Sequence, residues 1–168
     1  MHFEKISFNQ WVKDYNETCD LDVNRTYNAE RDYKAIKLPK QGTARSMGVD
    51  FFMPYDITIP PHTYVTIPTG IRWVVPPIDH QVGMMIMPRS GLGFKHGIRL
   101  ANTVGVIDAD YWQSDNEGHI MIKLYNPSDD KVSIPSGKGF AQGIVLPYYI
   151  CDGAESDENR TGGFGSTG

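Results

Sequence analysis

His119-Ile120-Met121-Ile122-Lys123-Leu124-Tyr125 alternates cleanly, with Ile120, Ile122 and Leu124 on one face and Met121 and Lys123 on the other. A period of two marks a half-buried β-strand. The same pattern recurs outward from it. Lys131–Ile134 and Ala141–Tyr149 follow downstream. Upstream, Tyr64–Ile67 and Ile71–Val75 flank Pro68-Thr69-Gly70, Asp56–Pro61 stops at two prolines, and Met47–Phe52 is a compact strand with one carboxylate inside it. Lys34–Leu38 also alternates and ends at Pro39, while Gly83–Met87 is an apolar run too short to mark a helix. Short strands at regular spacing, joined by Gly and Pro turns, predict an all-β sandwich or barrel.

The chain's 168 residues suit one domain with a real core. A net charge of −4 leaves no basic surplus to run along a phosphate backbone, which argues against a nucleic-acid partner. A single nucleotide needs only a few local cations and remains open. Cys19 and Cys151 are isolated, so neither a disulfide framework nor a zinc site is expected. No apolar run approaches the ~20 residues of a membrane span. The N-terminus Met1-His2-Phe3-Glu4-Lys5 lacks the apolar stretch of a secretory signal, so a soluble cytoplasmic protein is expected.

The two ends differ from the middle. Ser7–Tyr15 reads as one short helix, capped by Ser7, with Phe8, Trp11, Val12 and Tyr15 on its apolar face. Asn16–Arg31 is a polar connector. Residues 1–32 therefore read as an N-terminal extension and 33–151 as the β core. Residues 152–168, acidic and then glycine-rich with little to bury, read as a flexible tail.

Three stretches carry chemistry. Pro88-Arg89-Ser90-Gly91-Leu92-Gly93 offers backbone N–H groups, a hydroxyl and a cation at a turn, which would cradle an anion if the turn opens a helix. It lacks the spacing of a Walker A loop, and a plain Gly-rich turn is the simpler alternative. Leu100–Tyr111 follows. Asn102 can both donate and accept, as reading a pyrimidine edge requires. Asp108, beside apolar Val106 and Ile107, could hold and deprotonate a water in a partly dry pocket. Tyr111 could lie against a sugar or base, and Asp110 shapes the turn. The tail carries Arg160, able to pair with a phosphate, and Phe164, able to stack on a base. Outside these stretches, Asp50 is a carboxylate among Val49 and Phe51, which calls for a local hydrogen bond or a metal-bound water. Gln142 is a polar residue entering an apolar strand.

In combination these residues resemble the trimeric dUTP pyrophosphatase (dUTPase) family. The resemblance runs from about Tyr33 to Gly168 and touches all five segments that mark the family. They stand here as Met47-Gly48-Val49-Asp50, Pro88-Arg89-Ser90-Gly91, Gly105-Val106-Ile107-Asp108-Ala109-Asp110-Tyr111, Gly137-Lys138-Gly139-Phe140-Ala141-Gln142 and Gly162-Gly163-Phe164-Gly165-Ser166-Thr167-Gly168. The resemblance implies an all-β, β-clip, jelly-roll-like subunit in a homotrimer. Its sites would lie between subunits, closed by a tail. It implies hydrolysis of dUTP to dUMP and pyrophosphate, which limits uracil in DNA and supplies dUMP for dTTP synthesis.

The same resemblance implies the residue roles. Asp108 would activate the water that attacks the α-phosphorus. Mg²⁺ would be chelated mainly by the triphosphate, with Asp50 near its water shell. Arg89, Ser90 and Gly91 would contact phosphates, supported by Gln142. Asn102 and the backbone at Gly105, Val106 and Ile107 would read uracil, with Met121 beside the base. Tyr111 would pack on deoxyribose and exclude a 2′-hydroxyl. Arg160 would reach the γ-phosphate and Phe164 would stack on uracil, with Gly165 and Ser166 also at the substrate.

Four departures from the family pattern stand out. Gly139 occupies a position that usually carries a basic residue. About five extra residues separate Tyr111 from Gly118, across Trp112–Glu117. Arg160 is one residue nearer Phe164 than the common spacing. The first 30 or so residues have no counterpart. A related deaminase of the same fold is the nearest rival, but Lys123 stands where that family places a glutamate base. The extra helix and inserted loop also raise the possibility of a regulatory protein partner.

Overall fold

The computed structural model describes residues 1–19, 28–77, 81–154, 156 and 162. In chain order its strands are β1 (His2–Lys5), β2 (Lys40–Gln41), β3 (Val49–Phe52), β4 (Ile57–Ile59), β5 (Tyr64–Pro68), β6 (Ile71–Val74), β7 (Val82–Pro88), β8 (Arg99–Leu100), β9 (Gly105–Ile107), β10 (Met121–Tyr125), β11 (Val132–Ile134) and β12 (Gly139–Pro147). Helices α1 (Phe8–Cys19), α2 (Ala29–Ala35) and α3 (Ser90–His96) and a 3₁₀ turn at Tyr111–Gln113 complete the described elements.

The largest sheet has the order β2-β3-β12-β7-β9. The sheets β5-β10-β8, β11-β4 and β1-β6 surround the core with it. The alternation that predicted β10 holds: Ile120, Ile122 and Leu124 are buried and Lys123 is exposed. Gly83–Met87 is strand, not helix; Met84 and Ile86 point inward while Met85 faces out. β12 crosses the sheet centre with a glycine where packing is close, since a Cβ on Gly143 would fall 2.6 Å from Met84 Sδ.

The N-terminal region is more structured than its composition predicts. Ser7 Oγ accepts from Gln10 N–H, capping α1 as expected. Trp11 and Tyr15 are fully buried, but Phe8 stays exposed, edge-on to Tyr33. β1 pairs with β6 from His2↔Val74 to Lys5↔Ile71, so the extension adds a strand to the body.

Lys34–Leu38, expected as a strand, is instead the end of α2 and an irregular segment. Asn28 Oδ1 caps α2 by accepting from Arg31 N–H. Ala29, Asp32, Tyr33 and Ile36 then recur at helical spacing, and Ala29, Asp32 and Ile36 are buried. Trp11 Nε1 donates to the Ala29 carbonyl (3.0 Å) and the Tyr15 hydroxyl to Asp32 Oδ2 (2.5 Å). Docking on α1 thus overrides the local period-two pattern. The polar connector expected at Asn16–Arg31 is helical at both ends, while residues 20–27 lie outside the described residues.

Asp14, on α1, is buried. Burial pushes its pKa up, but hydrogen bonds with His119 and Gln10 outweigh this and hold it below the usual carboxylate value. A depressed folded-state pKa adds stability above the unfolded value near 4, and that stability is lost as pH falls through the folded value. Thermal unfolding followed from about pH 6 to 2 should therefore show a falling midpoint below about pH 4. Asp14→Asn should be less stable at neutral pH and show a shallower fall in that window. An unchanged slope would remove Asp14 from the acid response.

Candidate active site

β7 ends at Pro88, and Arg89, in extended conformation, is the N-cap of α3. Arg89 N–H donates to the Phe140 carbonyl, which pins this corner to β12. Leu92 and Gly93 N–H donate to the Arg89 carbonyl, whereas the Ser90 and Gly91 N–H groups that open α3 have no acceptor inside the helix. Both residues are exposed, and a side chain added at Gly91 would meet nothing within 4 Å. Packing within the chain does not explain that glycine.

The Arg89 side chain turns back toward β3. Its Nη1 lies 2.9 Å from Asp50 Oδ2. Asp50 thus meets the need for a local partner. Gln142 sits opposite Asp50 in the β12–β3 register, and its Nε2 donates to the Pro88 carbonyl (3.3 Å). Gly139 makes the arrangement possible, because a Cβ there would stand 2.7 Å from Arg89 Nη1 and 3.1 Å from its Cδ. The guanidinium fills the space above the glycine. Asp50, Arg89 and Gln142, far apart in sequence, are therefore brought together.

The second group lies along β8 and β9. The turn between them carries Asn102, exposed. Thr103 has φ 68, and Val104 N–H donates to the Asn102 carbonyl at 2.7 Å, the geometry of a γ-turn. Positive φ is rare for a β-branched residue, and such strain tends to collect at functional sites. Gly105 packs against Ile86, and its added Cβ would lie 3.2 Å from Ile86 Cβ. Val106 is exposed and Ile107 buried. Asp108 follows as an exposed carboxylate beside a cleft of about 390 Å³ lined by Val75, Pro76, Asp110, Gln113 and Tyr148. One protomer does not supply the partly dry pocket expected around Asp108.

The two groups do not meet within the chain. β9 pairs with β7 as Ile107↔Met84 and Gly105↔Ile86, which puts Asp108 beside Gly83 at the start of β7. Arg89 lies past the other end. Six residues of extended chain separate these ends by roughly 20 Å.

Tyr111 and Met121 form a third region. Tyr111 is buried; its hydroxyl donates to the His119 carbonyl and accepts from Asn116 Nδ2, each at 2.8 Å. Met121 is half-buried in a recess of about 430 Å³ with Gln10, Lys13, Thr66 and Lys123. Arg160, Phe164, Gly165 and Ser166 lie outside the described residues. In the tail, the Gly162 carbonyl stands 3.5 Å from Ser114 Oγ.

No three His, Cys, Asp or Glu side chains among the described residues come together as metal ligands. Asp50 offers a single carboxylate, already paired with Arg89. This donor set does not fit a divalent ion held by one protomer alone; it suits an ion that brings its own oxygen ligands.

Sequence reasoning missed α2, the buried Asp14–His119 link and the exposed Ser7–Glu117 contact. The spacing of Ala29, Asp32, Tyr33 and Ile36 after Asn28 was the available signal for α2. No local pattern connects Asp14 with His119, which are 105 residues apart.

The dUTPase family model matches residues 34–168. The deoxyuridine 5′-triphosphate nucleotidohydrolase of Lactococcus lactis subsp. lactis is 37% identical over 151 residues, spanning 86% of this chain and 97% of that protein. A crystal structure of dUTPase from Streptococcus mutans has a TM-score of 0.66 at 28% identity, covering 91% of this chain and 100% of that one. A dUTPase of the S. aureus phage phi11, which coordinates a structural Mg(II) ion, shares the fold with a TM-score of 0.59 at 18% identity, over 74% of this chain and 92% of that one.

Replacing Gly139 should displace the Arg89 guanidinium. In a crystal structure of Gly139→Ala, the Arg89 Nη1–Asp50 Oδ2 separation should open beyond about 4 Å, the limit for an ion pair, with the β12 backbone unmoved. An intact pair would show that the space above Gly139 is not what admits the arginine.

Proposed function

The chain belongs to the dUTPase family, and from that premise we propose that it hydrolyses dUTP to dUMP and pyrophosphate at sites shared between the subunits of a homotrimer. The observation that carries the shared site is the separation along β7. Asp108 and the Arg89–Ser90–Gly91 cradle lie at opposite ends of that strand. At roughly 20 Å they are too far apart to act on one triphosphate. Two subunits in head-to-tail contact around a symmetry axis bring the Asp108 end of one beside the Arg89 end of another. The apolar side chains Met85 and Val106, paired across β7 and β9 and 41% and 63% exposed, supply surface that a neighbour would cover.

In such a site Asp108 accepts a proton from the water that attacks the α-phosphorus. Charge grows on the phosphate oxygens as the bond to the bridging oxygen breaks, so the remaining task is electrostatic. Arg89 and the backbone and hydroxyl of Ser90, with Gly91, face that charge, and Gln142 holds the Pro88 carbonyl beneath them. Reaching the phosphates requires Arg89 to share or leave its contact with Asp50. Asn102 and the backbone of Gly105, Val106 and Ile107 read uracil beside Met121, and Tyr111 packs against deoxyribose. Arg160, Phe164, Gly165 and Ser166 close the site from the tail. Asp50 is the carboxylate that would stand near a Mg²⁺ carried by the triphosphate, and such an ion would supply neutralisation of phosphate charge.

Asp108→Asn should lower kcat by about 10²–10⁴-fold in a pyrophosphate-release assay, the usual worth of a general base, while a non-hydrolysable dUTP analogue still binds. A loss below about tenfold would mean another base. Subunit mixing tests the sharing. Arg89→Ala and Asp108→Asn proteins, each inactive alone, should recover about a quarter of wild-type activity when co-refolded one to one, as random assembly leaves that share of sites intact. No recovery would place both residues of a site on one subunit.

A further inference from the structure

The N-terminal extension and the loop Trp112–Glu117 are the parts of the chain to which no role has been given. They meet at the N-terminus of α1. Ser7 donates its backbone N–H to Glu117 Oε2 (2.7 Å) and its hydroxyl to Glu117 Oε1 (2.6 Å). Both carboxylate oxygens are thus engaged by one residue. Glu117 is held at φ 59, a left-handed conformation that side-chain-bearing residues rarely adopt. Such a conformation persists where its surroundings over-determine it, and the grip of Ser7 does so here. Gly118 follows at φ 69, and a Cβ there would lie 2.3 Å from Trp112 Cα and 2.8 Å from the Tyr111 carbonyl oxygen. The loop therefore closes directly onto the Tyr111–Trp112 backbone.

Two turns along α1, Asp14 makes a second attachment. Its Oδ2 lies 2.5 Å from Nδ1 of the fully buried His119. The Gly70 backbone N–H, which can only donate, lies 2.8 Å from His119 Nε2. Nε2 must then be the acceptor, and Nδ1 carries the proton that bonds Asp14. The ring is fixed on both sides, and so is the backbone of residue 119. The His119 carbonyl is the acceptor for the Tyr111 hydroxyl, and Asn116 donates to the same hydroxyl from within the loop.

We infer that α1 is a positioning element for Tyr111. Ser7 and Asp14 hold Glu117 and His119; Gly118 between them lies against the Tyr111–Trp112 backbone, His119 and Asn116 hold the Tyr111 hydroxyl, and the ring keeps the placement that discriminates deoxyribose from ribose. The inference rests on the function proposed above, in which Tyr111 meets the sugar. Ser7, Asp14, Glu117 and His119 are positioning residues that need not touch substrate. A small loss of placement is felt because rejection of one extra hydroxyl depends on close contact.

The test compares Glu117→Ala and the milder Ser7→Ala with Tyr15→Phe. The last variant removes the hydroxyl bond from α1 to Asp32 on α2, a bond that lies outside the 111–120 segment. The ratio of kcat/KM for dUTP to that for UTP should fall about five- to tenfold in Glu117→Ala and less in Ser7→Ala. Glu117→Gln, which keeps one acceptor for Ser7, should fall between wild type and Glu117→Ala. Tyr15→Phe should lower Tm without moving the ratio. A ratio no more altered in Glu117→Ala than in Tyr15→Phe would overturn the inference. Amide hydrogen exchange provides a readout independent of turnover. Residues 111–118 should lose protection in Glu117→Ala and Ser7→Ala but not in Tyr15→Phe, and unchanged protection would also overturn it. If the unaltered protein failed to hydrolyse dUTP, the proposed function and the sugar-reading half of this inference would both fall, while exchange would still decide the brace.

Discussion

Backbone hydrogen bonding along β7 is the constraint on which the site depends. The strand is paired on both edges, with β12 through seven residue pairs and with β9 through three. A strand held on both sides cannot shorten or slip without turning its inward residues outward. Met84 and Ile86, both buried, make such a slip costly. The ladder therefore fixes the distance between Asp108 and Arg89 as firmly as it fixes the core. The proposed site, which draws on both residues, would take them from more than one copy of this rigid unit.

At the Arg89 end, a missing side chain acts as much as those present. Arg89 can fold back to Asp50 because Gly139 leaves the space above β12 open. In the proposed site this arginine, resting on a carboxylate of its own subunit, would share that contact when an anion arrives. The side-chain entropy of a long cation makes such pre-ordering useful, since less freedom remains to be lost on binding. Ser90 and Gly91 need no such device, because the turn into α3 sets their backbone directions.

The N-terminal region gains its structure from a different source. α1 and α2 are short, at 12 and 7 residues, and neither would hold its shape alone. Trp11 and Tyr15 supply the burial, while polar contacts with Ala29, Asp32, Glu117 and His119 set the direction of docking. Apolar burial is tolerant of rotation. The hydrogen bonds of a buried histidine flanked by a carboxylate and a backbone N–H are not, so these contacts specify one docked arrangement.

The sequence by itself determined the β class and most of its strands, because side chains alternating across a sheet leave a period-two record, as at Ile120–Leu124. It also singled out Arg89–Gly91 and Asn102–Asp108, because turns, glycines and isolated carboxylates are local features with local causes. Tertiary structure alone decided the rest. Lys34–Leu38 alternates like a strand, yet it is the end of α2 and an irregular segment, because docking of Ala29, Asp32 and Ile36 against α1 outweighs a weak local pattern. Asp50 took Arg89 as its partner only because β3, β12 and the end of β7 lie side by side. Asp14 reached His119 across 105 residues through a contact that no spacing announces. Periodicity records which face of an element is buried. It does not record which distant element covers that face, and both the pairing of Asp50 and the seating of α1 turn on that second question.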